Sequence, residues 1–109
     1  MIKGIGADIE KTDRFKKISE DFIKSLFSDR EIRYCKSKKN FFLSFAGKFC
    51  AKEAVIKAYT RNLSMKDIEI VNELSGKVRV YINGKLNRNI HCNISHTDGY
   101  TIAFAIFEK

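Results

Sequence analysis

Residues 40–59, from Asn40 to Tyr59, make the longest helical segment of the chain, and no proline interrupts it or occurs anywhere else. At about 100° per residue, Phe42, Ala46, Phe49, Cys50 and Ile56 fall within roughly 60° of Glu53. Glu53 therefore sits in the middle of an apolar face, with Lys57 one turn on and on the same side. An ionised carboxylate in that position is costly unless it is paired or bound to a metal. Two readings follow. Either Glu53 and Lys57 form a helix pair at a rim where the apolar face ends, or Glu53 is a ligand. Lys48 and Lys52 fall on the flank, where they either line a groove or stay solvated.

The rest of the chain reads as one strand, then helices, then a run of strands. Ile2 to Ile9 alternates, with Ile5, Ala7 and Ile9 on one face and Gly4, Gly6 and Asp8 on the other. Thr12 to Ile18 reads as a short helical turn, and Phe22, Ile23, Leu26 and Phe27 have helical spacing. Ser28-Asp29-Arg30-Glu31 is a capping box that starts a helix running through Cys35. Asp67 to Val71, Lys77 to Ile82, Ile90 to His96 and Tyr100 to Phe107 read as strands, with turn signals at Asn83-Gly84 and Asp98-Gly99. This order predicts an α+β fold, with the helices, one of them long and central, packed on a single, mostly antiparallel sheet. One domain spans residues 1–109. The last strand is apolar on both faces, which fits either a neighbouring subunit on one side or a fully buried central strand.

Asp8 is the second anomaly. Aspartate is disfavoured inside strands, and its same-face neighbours, Gly4 and Gly6, leave room for something to approach the backbone. Alternatively, Asp8 begins the turn and caps the following helix. Asp8 and Glu53 together suit Mg²⁺, which takes oxygen ligands and leaves positions open for substrate phosphates. A lysine one turn past the glutamate would meet the phosphate charge. Ser95 and His96 are adjacent in a strand and point to opposite faces, so they cannot form a nucleophile–base pair. His96 either binds phosphate or keeps a hydrogen-bonding role at the hairpin end.

Charge narrows the partners. The chain carries 21 Lys and Arg against 13 Asp and Glu, a formal +8, and residues 1–57 alone hold +6. A basic half implies an anionic partner or a solvated cationic surface. The apolar runs are too short to span a bilayer. The first residues show no apolar export block, and Cys35, Cys50 and Cys92 have no metal-site spacing, so a cytosolic protein with reduced thiols is expected.

Several segments resemble the bacterial holo-acyl-carrier-protein synthases, the short trimeric type of 4′-phosphopantetheinyl transferase. These are Gly4-Ile5-Gly6-Ala7-Asp8-Ile9 with Arg14-Phe15, Phe27-Ser28 with Glu31-Ile32 and Tyr34-Cys35, and Phe45-Ala46-Gly47-Lys48-Phe49-Cys50-Ala51-Lys52-Glu53-Ala54-Val55-Ile56-Lys57-Ala58. Asp67 to Ile70 with Asn72 and Gly76-Lys77, and Ile94-Ser95-His96-Thr97 with Ala103 and Ala105, continue the match in order. The resemblance implies the phosphopantetheinyl transferase fold and transfer of 4′-phosphopantetheine from coenzyme A to a serine of apo acyl carrier protein, releasing adenosine 3′,5′-bisphosphate, in fatty acid biosynthesis. It implies Asp8 and Glu53 as Mg²⁺ ligands and Asp8, Glu53 and Lys57 as catalytic residues. Either Glu53 or a metal-held water takes the serine proton. Asp8, Lys48, Lys52, Lys57, Ser95 and His96 are implied at coenzyme A, and Arg14 at the acidic carrier protein. It also implies a homotrimer with sites between subunits, which would cover one face of the last strand. Lys48 stands where the family usually has Arg, and Tyr59-Thr60-Arg61-Asn62 replaces a Gly-rich turn. The competing reading from composition is a small basic nucleic-acid-binding module, against which Phe41, Phe42, Phe45 and Phe49 have core spacing.

Overall fold

The computed structural model describes residues 1–109. Strand β1 (Ile2–Lys11) leads into a 3₁₀ turn (Thr12–Lys17), then α1 (Glu20–Leu26), α2 (Asp29–Lys36) and α3 (Phe41–Ala58). A second 3₁₀ turn (Met65–Asp67) precedes β2 (Ile68–Asn72), β3 (Val78–Ile82), β4 (Lys85–Leu86), β5 (Ile90–Thr97) and β6 (Tyr100–Glu108). The expected capping box is present: the Glu31 amide donates to Ser28 Oγ, and the Ser28 amide donates back to Glu31 Oε1 at 2.9 Å.

The strands form two antiparallel sheets rather than one, ordered β1-β6-β5 and β2-β3-β4. The chain turns sharply at Asn83 and Gly84, both at positive φ, so β3 pairs with the two-residue strand β4 instead of reaching β5. In the first sheet the last strand is central. One of its faces, Thr101, Ala103, Ala105 and Phe107, is buried against α3, while Ile102 and Phe104 on the other are each 46% exposed. Ile5 and Ile9 of β1 continue that open face, and both are 61% exposed.

Helix α3 is enclosed almost all round. One side packs on the first sheet through Ala51, Ala54 and Val55. The other packs on Phe15, Phe27 and Cys35 through Phe45 and Phe49. A two-sided wheel is thus the wrong picture for this helix. Every residue from Phe45 to Lys52 is buried, and Glu53 and Ile56 lie at a half-buried edge.

Gly4 and Gly6 face α3, and what approaches their backbone is the helix itself. A Cβ at Gly4 would stand 1.9 Å from the Ala58 carbonyl oxygen, and one at Gly6 would stand 2.0 Å from that of Ala54. Neither obstacle is a flexible side chain, so the strand and helix would have to part. Gly6→Ala is expected to cost about 3 kcal/mol of folding stability, the upper end of ordinary overpacking. Denaturant unfolding measures it, and a loss below about 1 kcal/mol would show that the strand–helix contact yields easily.

Candidate functional site

The strand–helix contact sets the site. Gly4 lies against Ala58 and Gly6 against Ala54, so two residues of strand match one turn of helix. Asp8 continues that row against the turn containing Cys50 and Glu53. It lies within β1, three residues before its end, so it does not cap a helix. Its side chain is 12% exposed, and its Oδ1 is 3.4 Å from Lys57 Nζ. Lys57 also donates to the Ala7 carbonyl at 2.8 Å. The lysine turns across to β1 instead of back to Glu53, which removes the helix-pair reading. Asp8 Oδ2 is buried with no hydrogen-bond partner. Ala7, Asp8, Lys57 and Ile102 border a hollow of about 230 Å³.

A buried carboxylate oxygen without a donor is expensive unless a ligand meets it. With Glu53 half-buried on the facing turn, the donors are oxygens from two carboxylates. That set fits a Mg²⁺ ion whose remaining positions go to substrate phosphates. No cluster of three or more His, Cys, Asp or Glu side chains arranged for a metal accompanies it.

Glu10, which the sequence reading passed over, belongs to this neighbourhood. It is two residues from Asp8 and so on the same strand face, which the period-two pattern encodes. Burial first, and Asp8 beside it second, push its carboxyl above the usual range, while Arg14 pulls it back. Glu10 forms an ion pair with Arg14. The Arg14 guanidinium lies 5.4 Å and 5.3 Å from the Phe15 and Phe49 ring centres and stays half-exposed. The Cys50 thiol is pushed up by burial and then by Asp8.

His96 and Ser95 separate as expected. Ser95 is exposed and paired with Ile102, on the face turned away from α3. His96 lies over Gly47, whose Cβ would come within 3.6 Å of the ring Nε2. The ring borders a second hollow of about 200 Å³ shared with Lys48, Asn72 and Asn93. Burial holds His96 below its ordinary value.

Lys48 and Lys52 overturn the solvated-flank reading. Their residue exposures are 2% and 0%. Lys48 Nζ donates to the Ile70 carbonyl at 2.6 Å and to Asn72 Oδ1 at 2.7 Å, with the Tyr34 ring 4.4 Å away. Lys52 Nζ meets Glu31 Oε1 at 2.7 Å and donates to the carbonyls of Leu26 and Met65. Glu31 Oε2 in turn accepts the Ile70 amide at 2.7 Å. Burial lowers the pKa of both lysines, and Glu31 opposes that at Lys52. Lys52 is a tie between α3, α2 and the second sheet, enclosed too fully to reach a surface ligand. Lys48 still borders the His96 hollow. A separate groove of about 400 Å³ between β3 and β5 carries Lys77, Arg79, Arg88 and His91.

The model of the 4′-phosphopantetheinyl transferase superfamily matches residues 4–105. A holo-[acyl-carrier-protein] synthase of Thermodesulfovibrio yellowstonii is 40% identical over 112 residues, covering 97% of this chain and 98% of the relative. One from Clostridium botulinum strain Alaska E43 is also 40% identical, over 121 residues and 99% and 98% of the two chains. Among solved structures, a holo-(acyl-carrier-protein) synthase from Bacillus anthracis in complex with CoA (3′,5′-ADP) superposes with a TM-score of 0.86 at 30% identity, covering 100% of this chain and 98% of that one. A Helicobacter pylori holo-[acyl-carrier-protein] synthase in complex with coenzyme A gives 0.74 at 29% identity, over 95% and 99%.

Proposed function

The chain belongs to the holo-acyl-carrier-protein synthases of the 4′-phosphopantetheinyl transferase superfamily, and on that premise we propose that Asp8, Glu53 and Lys57 carry its reaction. The reaction is transfer of phosphopantetheine from coenzyme A to apo acyl carrier protein, and the competing nucleic-acid reading has no support. Phe45 and Phe49 are core residues, so they do not offer bases a stacking surface.

The carrier serine oxygen attacks the phosphorus on the pantetheine side. A new P–O bond forms, the pyrophosphate bridge breaks, and adenosine 3′,5′-bisphosphate leaves with the electron pair. Asp8 and Glu53 would hold Mg²⁺, which when bound neutralises pyrophosphate charge and favours the leaving group. Lys57, with its ammonium already at the Asp8 edge of the hollow, meets charge that builds on the transferred phosphate. Glu53 takes the serine proton. His96 and Lys48 line the coenzyme A side. Arg14, half-exposed beyond Glu10, faces the acidic carrier and steers its approach. The observation that carries this reading is the buried, unpartnered Asp8 Oδ2 beside Lys57.

We assign the open face of Ile5, Ile9, Ile102 and Phe104 to further copies of the chain in a homotrimer, which equilibrium sedimentation would test. We place the reaction in cytoplasmic fatty acid biosynthesis. Cells depleted of the chain should then accumulate apo carrier protein in their soluble fraction.

Incubation with coenzyme A, Mg²⁺ and apo carrier protein is expected to add one phosphopantetheine mass to the carrier. Glu53→Gln is expected to slow that transfer at least about a hundredfold, the usual worth of a positioned proton acceptor, while thermal unfolding stays unchanged. No mass gain with the native chain, or native rates in the variant, would remove the respective assignment.

A further inference from the structure

His96 does not stand alone in the fold. Its Nδ1 lies 2.8 Å from Thr101 Oγ1, and Thr101 Oγ1 lies 2.8 Å from Thr12 Oγ1. Thr101 is 0% exposed and Thr12 is 3% exposed. The three residues come from β5, from β6 and from the 3₁₀ turn after β1. The Thr12 amide donates to the Gly99 carbonyl at 2.9 Å, which fixes that turn against the β5–β6 hairpin. The ring lies against Gly47 of α3 at ordinary contact distance.

The protons in this row can be counted. Each hydroxyl has one to donate, and a neutral imidazole has one on either nitrogen. If Nδ1 carried the ring proton, it would donate to Thr101, Thr101 would donate to Thr12, and the Thr12 proton would be left without an acceptor in a buried place. In the opposite order Thr12 donates to Thr101, Thr101 donates to Nδ1, and every proton is used. Buried polar groups are satisfied wherever the fold permits, so the second order is favoured. The ring proton then sits on Nε2, the nitrogen not engaged by Thr101, on a ring that borders the hollow shared with Lys48.

We infer that Thr12 and Thr101 are positioning residues that hold His96 as its Nε2–H tautomer and aim that donor into the hollow between α3 and β5. The imidazolium form would reverse the row and strand the Thr12 proton, so the row acts in the same direction as the burial that lowers the His96 pKa. The chemistry suited to the hollow is an acceptor oxygen with negative charge, met by Nε2–H and the Lys48 ammonium. The assignment of that oxygen to coenzyme A rests on the reading of His96 under the proposed function. The tautomer does not.

The test is long-range ¹H–¹⁵N NMR of the imidazole rings in the full-length protein, recorded above the ring's titration. Native protein is expected to show the Nε2–H pattern for His96. Thr101→Val, which keeps the shape and removes the hydroxyl, is expected to give a mixture of tautomers, and Thr101→Ser to restore the native pattern. Thr12→Val offers a second route to the mixture should the Thr101 variant fail to fold. A native Nδ1–H pattern, or an undisturbed Nε2–H pattern in both valine variants, would overturn the inference. In steady-state assays Thr101→Val is expected to raise KM for coenzyme A about fivefold, the worth of one hydrogen bond, with little change in kcat. A tautomer mixture with native KM would uphold the relay and refute only the contact between His96 and coenzyme A.

Discussion

Lys52→Met is expected to lower the unfolding free energy by about 3–5 kcal/mol, the usual result of removing one partner of a buried ion pair. For a chain of this size that is a fall in Tm of about 15 °C or more. The reason is the state left behind. Glu31 is 1% exposed and keeps its bonds from the Ser28 and Ile70 amides, but it loses the only cation that touches it. The carbonyls of Leu26 and Met65 lose their donor as well. Methionine fills much of the space, so the loss reports charge rather than a cavity. Differential scanning calorimetry measures it, and the Glu31→Gln, Lys52→Met double variant should recover part of it. A Tm within a few degrees of native would show that the pair is dispensable. The KM for coenzyme A of whatever fraction stays folded should be native, since the Lys52 ammonium is fully enclosed.

Asp8→Asn is expected to do the opposite: to leave the fold intact and remove the reaction. The amide matches the carboxylate in shape and carries no charge. The Oδ2 position has no partner within the chain, so folding loses nothing there, and Tm is expected to hold or rise. Transfer is expected to fall about a thousandfold, roughly 4 kcal/mol of transition-state stabilisation. Mn²⁺ binding followed by electron paramagnetic resonance should weaken in step, which separates loss of ion binding from any effect on the carrier. Transfer within about threefold of native would mean that the unpartnered oxygen has no role in the chemistry.

Much of the architecture was legible because local rules sufficed. The capping box at Ser28 and Glu31 began a helix where it was read. The alternation over Ile2 to Ile9 puts Gly4, Gly6 and Asp8 on one face, and that face does meet the helix bearing Glu53. The two misreadings share a cause. A helical wheel assumes one wet side, whereas α3 is covered by the sheet on one side and by α1, α2 and the 3₁₀ turn on the other. The wheel therefore offers Lys48 and Lys52 only a groove or water, whereas they donate to the backbone carbonyls of Ile70 and of Leu26 and Met65. Nothing local to a lysine announces acceptors that lie some twenty residues away in the chain. The split into two sheets is equally non-local, since it depends on β3 taking β4 as its partner. Glu10 was within reach of the period-two argument. The meeting of Thr12 with Thr101, from opposite ends of the chain, was not.

The position of β6 bears on how such a chain is made. It is the centre of the first sheet, pairing Ile5 with Ile106 on one side and His91 with Ile106 on the other, yet it follows both of its neighbours in the chain. Until it emerges, β1 and β5 have no common partner, and β1 lies on α3 through its glycine face and the Lys57 contacts alone. Closing that span is slow compared with closing a hairpin. Nascent chains would thus wait with α3 and the second sheet formed but the first sheet open, dependent on whatever keeps its unpaired strands apart until β6 arrives.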